Sequence, residues 1–153
     1  MVPNDQTPVV KRLLADEVAD FSRLLQIFKS VFEHEHELPE EGYLRNLLSN
    51  PGFMAFVVRV NNHVVGGLTL YVLNGYYITA PLAYVYDVGV QPSFQGKGLG
   101  KKLIREVCEY CKQQGFATAF VQAESADEDA LEFYRKTGYT QMLEATQFSY
   151  DFL

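Results

Sequence analysis

The chain has no tryptophan, only three methionines and only two cysteines among 153 residues. Two cysteines cannot staple a small disulfide scaffold. Cys108 and Cys111 have Cys-x-x-Cys spacing, but no second pair completes a zinc site. Leu103, Ile104 and Val107 share their helical face, so both cysteines read as helix core. Basic residues are also scarce: 13 Lys and Arg stand against 19 Asp and Glu, a net charge of −6. That balance argues against nucleic acid as a partner and is compatible with a cationic substrate. No apolar run approaches the ~18 residues of a membrane span. Met1-Val2-Pro3-Asn4-Asp5 lacks the basic and apolar pattern of a signal peptide. No membrane partner and a cytoplasmic location are therefore expected. There is no repeat, low-complexity tract or linker, and 48% apolar residues suit one domain over residues 1–153.

What is present is an alternation of strand and helix patterns. Pro8 to Leu14 reads as a short strand, and Asp16 as the cap of a helix over Glu17 to Phe32. That helix buries Phe21, Leu24, Leu25, Phe28 and Phe32. Glu33-His34-Glu35-His36-Glu37 follows; with no third ligand type nearby it reads as a solvated acidic loop at a substrate mouth, not a metal site. Pro39 suits the first turn of a second helix to Ser49, with Leu44, Leu47 and Leu48 inward. Phe53 to Val60 and Val64 to Leu73 are strands, joined at Asn61-Asn62 by a tight turn. Ala83 to Val90 is the next strand, and Gly115 closes the helix that follows it. Ala117 to Glu124 is a strand. Ser125-Ala126-Asp127-Glu128 fits a capping box for a helix from Asp127 to Lys136, ended by Gly138. Tyr139 to Leu143 and Thr146 to Phe152 read as two paired strands. The order β-α-α-β-β-β-α-β-α-β-β predicts an α/β architecture with a mixed sheet.

The chain is organised around Ala83 to Glu106. The strand there feeds Gln91-Pro92-Ser93, then Gln95-Gly96-Lys97-Gly98-Leu99-Gly100, then a helix. Glycines let successive backbone N–H groups converge, and the helix N-terminus adds partial positive charge. Such a loop binds a phosphate or pyrophosphate. No Ser or Thr follows Lys97 or Lys101, so it is not a Walker loop. The glycines stand two apart, which does not match the dinucleotide fingerprint.

Gln95, Gly98 and Gly100, placed between that strand and that helix, resemble the acetyl-CoA loop of the GCN5-related N-acetyltransferase (GNAT) superfamily. The element order is similar over nearly the whole chain. Within the superfamily the segments Tyr43–Leu48, Tyr71–Leu73, Tyr84–Val88, Phe120–Glu124 and Phe148–Asp151 look most like the type I aminoglycoside 3-N-acetyltransferases. The resemblance implies a GNAT-type, mostly antiparallel mixed sheet with a splayed parallel strand pair, flanked by helices. It implies acetyl-CoA as co-substrate and no metal. Coenzyme contacts would come from Val88 and Val90 through their backbone, and from Gln95, Gly96, Lys97, Gly98, Leu99, Gly100 and Lys101. Lys102 and Arg105 could reach nucleotide phosphates or form a solvated helix face.

The resemblance also places Tyr134 beside the coenzyme sulfur, where a phenol can give a proton to the departing thiolate. Asp87 stands out from the residues alone: a charge in an apolar, aromatic strand is costly unless it faces a cleft or a partner. The superfamily strand usually bulges at the following Val88-Gly89-Val90, which would turn side chains toward an active site. Asp87 would hold the substrate ammonium and relay its proton, beside Tyr86. Glu124, Asp127 and Asp129 form an acidic group that could read further ammoniums, although Asp127 and Asp129 equally suit the start of a helix.

The expected activity is acetyl transfer from acetyl-CoA to a primary amine of a small polycation, first an aminoglycoside at its 3-N position, which would make the chain an antibiotic-resistance enzyme. Acetylation of a polyamine or a protein amine is the alternative. A non-catalytic acyl-CoA-binding module would keep the Gln95–Gly100 loop and need neither Asp87 nor Tyr134. A homodimer is left open.

Overall fold

A computed structural model describes residues 7–153. It contains two compact units, one ending at Gln122 and one running Ala123–Leu153. The first carries strand β1 (Val9–Arg12), helices α1 (Val18–Val31) and α2 (Glu41–Ser49), and strands β2 (Phe53–Val60), β3 (His63–Leu73) and β4 (Leu82–Val90). Helix α3 (Leu99–Gln113) and strand β5 (Thr118–Val121) complete it. These strands form one sheet in the order β1-β2-β3-β4-β5. All neighbours are antiparallel except β4 and β5, which are parallel. This is the mixed, helix-flanked sheet expected from the sequence. Among the described residues no helix is long and apolar enough to cross a membrane.

Period-two alternation sends each strand's apolar residues to both faces, and each face has its own helices. Phe53, Ala55 and Val57 of β2 meet Phe21, Leu24, Ile27 and Phe28 of α1 and Leu44 and Leu48 of α2. On the other face Phe56, Val58, Leu68, Leu70, Ala83, Val85 and Val90 meet Leu99, Leu103, Val107 and Cys111 of α3. Each such large side chain contributes roughly 1.5–3 kcal/mol by leaving water. The Asn61-Asn62 turn forms as expected: both residues have positive φ, and Val60 opposes His63.

Several local expectations are corrected. Asp16 does not cap α1. A short 3-10 turn, Ala15–Glu17, precedes that helix; Glu17 stands at the N-cap position of α1, and its side chain accepts the Leu14 N–H at 2.8 Å at the start of the 3-10 turn and does not cap α1. Pro39 lies ahead of α2, whose N-cap is Glu40. Cys108 is exposed; only Cys111 joins the core, where burial pushes its thiol up to about 11. β5 ends at Val121, three residues short of Glu124.

The second unit holds helix α4 (Glu128–Arg135), capped by Asp127, whose Oδ1 accepts the Ala130 N–H at 3.0 Å. The cap is thus Asp127 and not Ser125. The two expected terminal strands do not form: residues 139–153 have no strand structure. Alternating apolar residues become a strand only when a neighbour completes the hydrogen-bond ladder. Here Met142, Leu143, Phe148, Tyr150 and Phe152 are exposed.

One close approach sets the depth of α1 on the sheet. Gly67 and Gly89 are register partners on β3 and β4. A Cβ at Gly67 would overlap the Phe56 carbonyl oxygen and approach Leu24 Cδ1 at 2.8 Å, and one at Gly89 would meet Phe28 Cδ1 at 2.9 Å. The backbone oxygen cannot step aside as a flexible side chain can. Gly67→Ala is therefore expected to destabilise the fold by about 1–3 kcal/mol. Urea or thermal unfolding measures it; unchanged stability would mean that α1 does not seat on this glycine.

Candidate active site

The site begins with the register of β4. Thr69 of β3 opposes Asp87, but Leu70 opposes Val85, so Tyr86 is an extra residue on β4. The bulge falls at Tyr86, ahead of Asp87 and not within Val88–Val90. Across it, Tyr84 opposes Tyr71 and Asp87 opposes Thr69, while Val85 remains on the α3 face. A bulge restores the face for residues on either side of it. Tyr84, Tyr86 and Asp87 thus gather on the α1–α2 side. The Tyr86 ring stands edge-on to Tyr71 at 5.6 Å and to Tyr84 at 5.9 Å.

On that side lies a cavity of about 400 Å³. β4 gives it Tyr86 and Asp87, β3 gives Thr69 and Tyr71, and α2 gives Tyr43 and Leu44. The end of α1 contributes Phe28 and Lys29, and the following loop His34, His36 and Glu37. The loop reaches the cavity because Glu33 adopts φ 55°, in the left-handed region, and His34 N–H bonds back to the Lys29 carbonyl at 3.0 Å. That 6→1 bond is the Schellman closure of a helix end. Of the acidic and His segment, His34, His36 and Glu37 line the cavity. Burial raises the Asp87 carboxyl above the usual range, and His34 partly opposes the rise. Burial likewise raises the Tyr71 phenol, with Tyr86, Tyr43 and Asp87 adding to it.

The other edge of β4 is open. β5 pairs with it only from Leu82↔Thr118 to Val85↔Val121, so among the described residues Tyr86 to Val90 pair with no strand on that side. Gln91 donates its N–H to Val65 at 2.7 Å, toward β3. Backbone directions alternate along an extended strand, so Val90 and Val88 turn their groups to the open edge. The Val90 carbonyl is already taken by Gln95 Nε2 at 2.9 Å. Gln95 thus ties the loop to the strand end, which its sequence position did not reveal.

After the strand, a 3-10 turn at Pro92–Phe94 leads to Gly96 and Gly98, with φ of 74° and 80°. Gly98 is the N-cap of α3, and a Cβ at either glycine would meet open space. This concave backbone before a helix N-terminus fits an anionic group. Gly100 is an ordinary helical residue and Leu99 is buried. Lys97 sits over the Phe94 ring at 5.1 Å, Lys101 is exposed, and Lys102 pairs with Glu106 at 3.6 Å. Arg105 is exposed.

Glu124, Asp127, Asp129 and Tyr134 all belong to the second unit. Asp127 is the α4 cap and Asp129 lies in the first turn, as their helix-start readings required. Tyr134 is half-buried, packed edge-on to Phe133 at 4.9 Å, and its carbonyl accepts the Thr137 hydroxyl at 2.6 Å. The sequence did not single out Thr69, Tyr71 or Tyr43 as site residues; Tyr43 lies on the exposed side of α2 and Tyr71 where β3 leaves its buried stretch.

A parallel strand pair that stops short and a glycine-turned helix start are the arrangement that the resemblance to the acetyltransferases implies. Residues 21–139 match the Acetyltransferase (GNAT) family, and the chain belongs to that family of N-acetyltransferases. It is similar to an aminoglycoside acetyltransferase from an uncultured soil metagenomic sample, solved with sisomicin and separately with trehalose. In the sisomicin complex the identity is 38% and the TM-score 0.94, over 97% of this chain and 98% of that one. The N-alpha-acetyltransferase RimI of Mycobacterium tuberculosis is 26% identical over 131 residues, 81% of this chain and 75% of that protein. Other curated relatives match over shorter stretches; the chain covers 26% and 20% of the length of two of them. The aminoglycoside N-acetyltransferase AAC(6')-Iy in complex with CoA shares the fold at TM-score 0.80 and 13% identity, over 98% of this chain and 99% of that one.

The raised Asp87 carboxyl has a consequence for stability. The folded protein holds this proton more tightly than the unfolded chain, whose carboxyl titrates near 3.8. The group favours folding below that value, and the advantage is lost as pH rises through the folded value. Asp87→Asn should therefore gain stability relative to the parent as pH rises from about 4 toward 7. Paired unfolding curves across that range test it. A difference independent of pH, or one growing in the parent's favour, would contradict it.

Proposed function

We propose that the chain transfers the acetyl group of acetyl-CoA to a primary amine of a small polycationic substrate, an aminoglycoside at its 3-N position being the first choice. The observation that carries this reading is Asp87: a desolvated carboxylate set by a bulge at the wall of a cavity, one residue from an open strand edge. The pantetheine arm lies along that edge as an added strand, meeting the backbone of Val88 and the N–H of Val90. The pyrophosphate rests on the backbone from Gln95 to Gly100, with Lys97 and Lys101 beside it.

The substrate enters as an ammonium and is held by Asp87 with Tyr86 beside it. A carboxylate near its reference pKa of ~3.9 is a weak base, and desolvation strengthens it. Asp87 passes the ammonium proton to water. The neutral nitrogen attacks the thioester carbon and the C–N bond forms; the nitrogen of the tetrahedral intermediate then loses its second proton to water, and the C–S bond breaks as the oxyanion collapses to the amide carbonyl, the proton given to the thiolate being replaced on the phenol from solvent. The thiolate takes its proton from Tyr134, a role that rests on the motif Leu131–Lys136. Further ammonium groups are assigned to Glu124, Asp127 and Asp129.

The aminoglycoside acetyltransferase at 38% identity favours this substrate. A second reading, acetylation of a protein α-amine, is favoured by the RimI match over most of the chain. Thiol release across aminoglycosides, polyamines and N-terminal peptides separates them. Asp87→Asn should leave acetyl-CoA affinity nearly intact and lower kcat/KM for the preferred amine at least ~100-fold, about 2.7 kcal/mol, with partial recovery at higher pH. Near-normal turnover of the Asn protein on every amine would make Asp87 a structural strand residue.

A further inference from the structure

The cavity wall beside Asp87 is built from tyrosines on three different elements. Tyr43 comes from α2, Tyr71 from β3 and Tyr86 from the β4 bulge. Tyr71 and Tyr86 meet edge-on at 5.6 Å, and Tyr71 and Phe53 edge-on at 5.2 Å. All three rings keep free surface: Tyr43 is 63% exposed, Tyr86 57% and Tyr71 38%. Three large aromatic side chains left partly uncovered around one carboxylate are not explained by core packing, which holds rings such as Phe21 and Phe53 fully inside. The faces of aromatic rings carry negative potential and attract a cation.

We propose that Tyr43, Tyr71, Tyr86 and Asp87 form an aromatic cage that selects an ammonium group by cation–π attraction as well as by charge. The inference deepens the proposed function and rests on its assignment of this cavity to the amine substrate. Asp87 supplies the charge and Tyr71 and Tyr86 the adjoining walls, while Tyr43 closes the cage from α2. Lys29, His34, His36 and Glu37 also line the cavity, so the tyrosines and Asp87 share it with groups of both signs. Such a cage needs no hydrogen-bond donor on the ligand. It therefore accepts a quaternary ammonium that cannot be acetylated, which a site reading only N–H groups would reject.

The test uses tetramethylammonium chloride against amine acetylation, with sodium chloride at equal ionic strength and neutral tert-butanol as controls. Tetramethylammonium is expected to raise the apparent KM for the amine several-fold without lowering kcat, and the controls are not. Tyr43, on the helix surface, is the ring to change. Tyr43→Phe keeps the competition, and Tyr43→Leu weakens it by roughly 2- to 5-fold, the share of one exposed ring. Equal effects of sodium chloride, of tert-butanol, or in the Leu protein would overturn the cage. If no amine is acetylated, binding of tetramethylammonium is read directly by titration calorimetry on the parent and Tyr43→Leu proteins. Binding there with no turnover would contradict the proposed function and leave the cage standing; turnover without competition would do the reverse.

Discussion

The site depends on one extra residue in β4. Without Tyr86 the strand would keep its alternation unbroken, and Asp87 could not share a face with both Thr69 and the Tyr84–Tyr71 pair. The bulge lets the first half of β4 pack Ala83 and Val85 against α3 while the second half keeps Val88 and Val90 on that same side. Pairing with β5 stops at Val85, immediately before the bulge. The interruption that positions the carboxylate therefore also marks where the strand edge opens. A bulge increases local twist and ends regular pairing, so these two consequences have one cause.

The rest of the first unit holds that strand in place. The facing glycines Gly67 and Gly89 bring α1 down onto the sheet, with Leu24 and Phe28 over them. The end of α1 then lies near the bulge, and the left-handed Glu33 sends the His34–Glu37 segment across the cavity. Arg59 of β2 is paired with Asp20 of α1, a partly buried ion pair linking the same helix to the sheet. At the free edge of β4 Gln95 bonds to the Val90 carbonyl and fixes the glycine loop to the strand. Charge, cavity and glycine loop are thus all referred to one stretch of backbone.

Features that depend on near neighbours were legible in the sequence. The Asn61-Asn62 turn, the apolar stripes of α1, α2 and α3 and the left-handed Gly98 and Gly115 follow from local patterns. Asp87 was legible because a lone charge in an apolar strand needs a reason. The position of the bulge was not, since register is a property of β3 and β4 together. The tyrosine wall was not, because Tyr43, Tyr71 and Tyr86 meet only after three elements assemble. The terminal segment failed for a related reason: residues 139–143 and 146–152 alternate like strands, but alternation does not supply a partner. The start of α4 offered both a capping box from Ser125 and Asp127 as a cap; both fit the pattern, and only the geometry, in which Asp127 accepts the Ala130 N–H, separates them.

In the proposed function the open edge of β4 is the coenzyme's seat and the bulge presents Asp87 to the amine. A crystal structure with coenzyme A and a substrate amine tests both at once. It should show the pantetheine arm hydrogen-bonded to the Val88 backbone, the pyrophosphate on the amides between Gln95 and Gly100, and the amine nitrogen within hydrogen-bond distance of an Asp87 carboxylate oxygen. Coenzyme bound away from this edge, or an amine held elsewhere with Asp87 untouched, would contradict it.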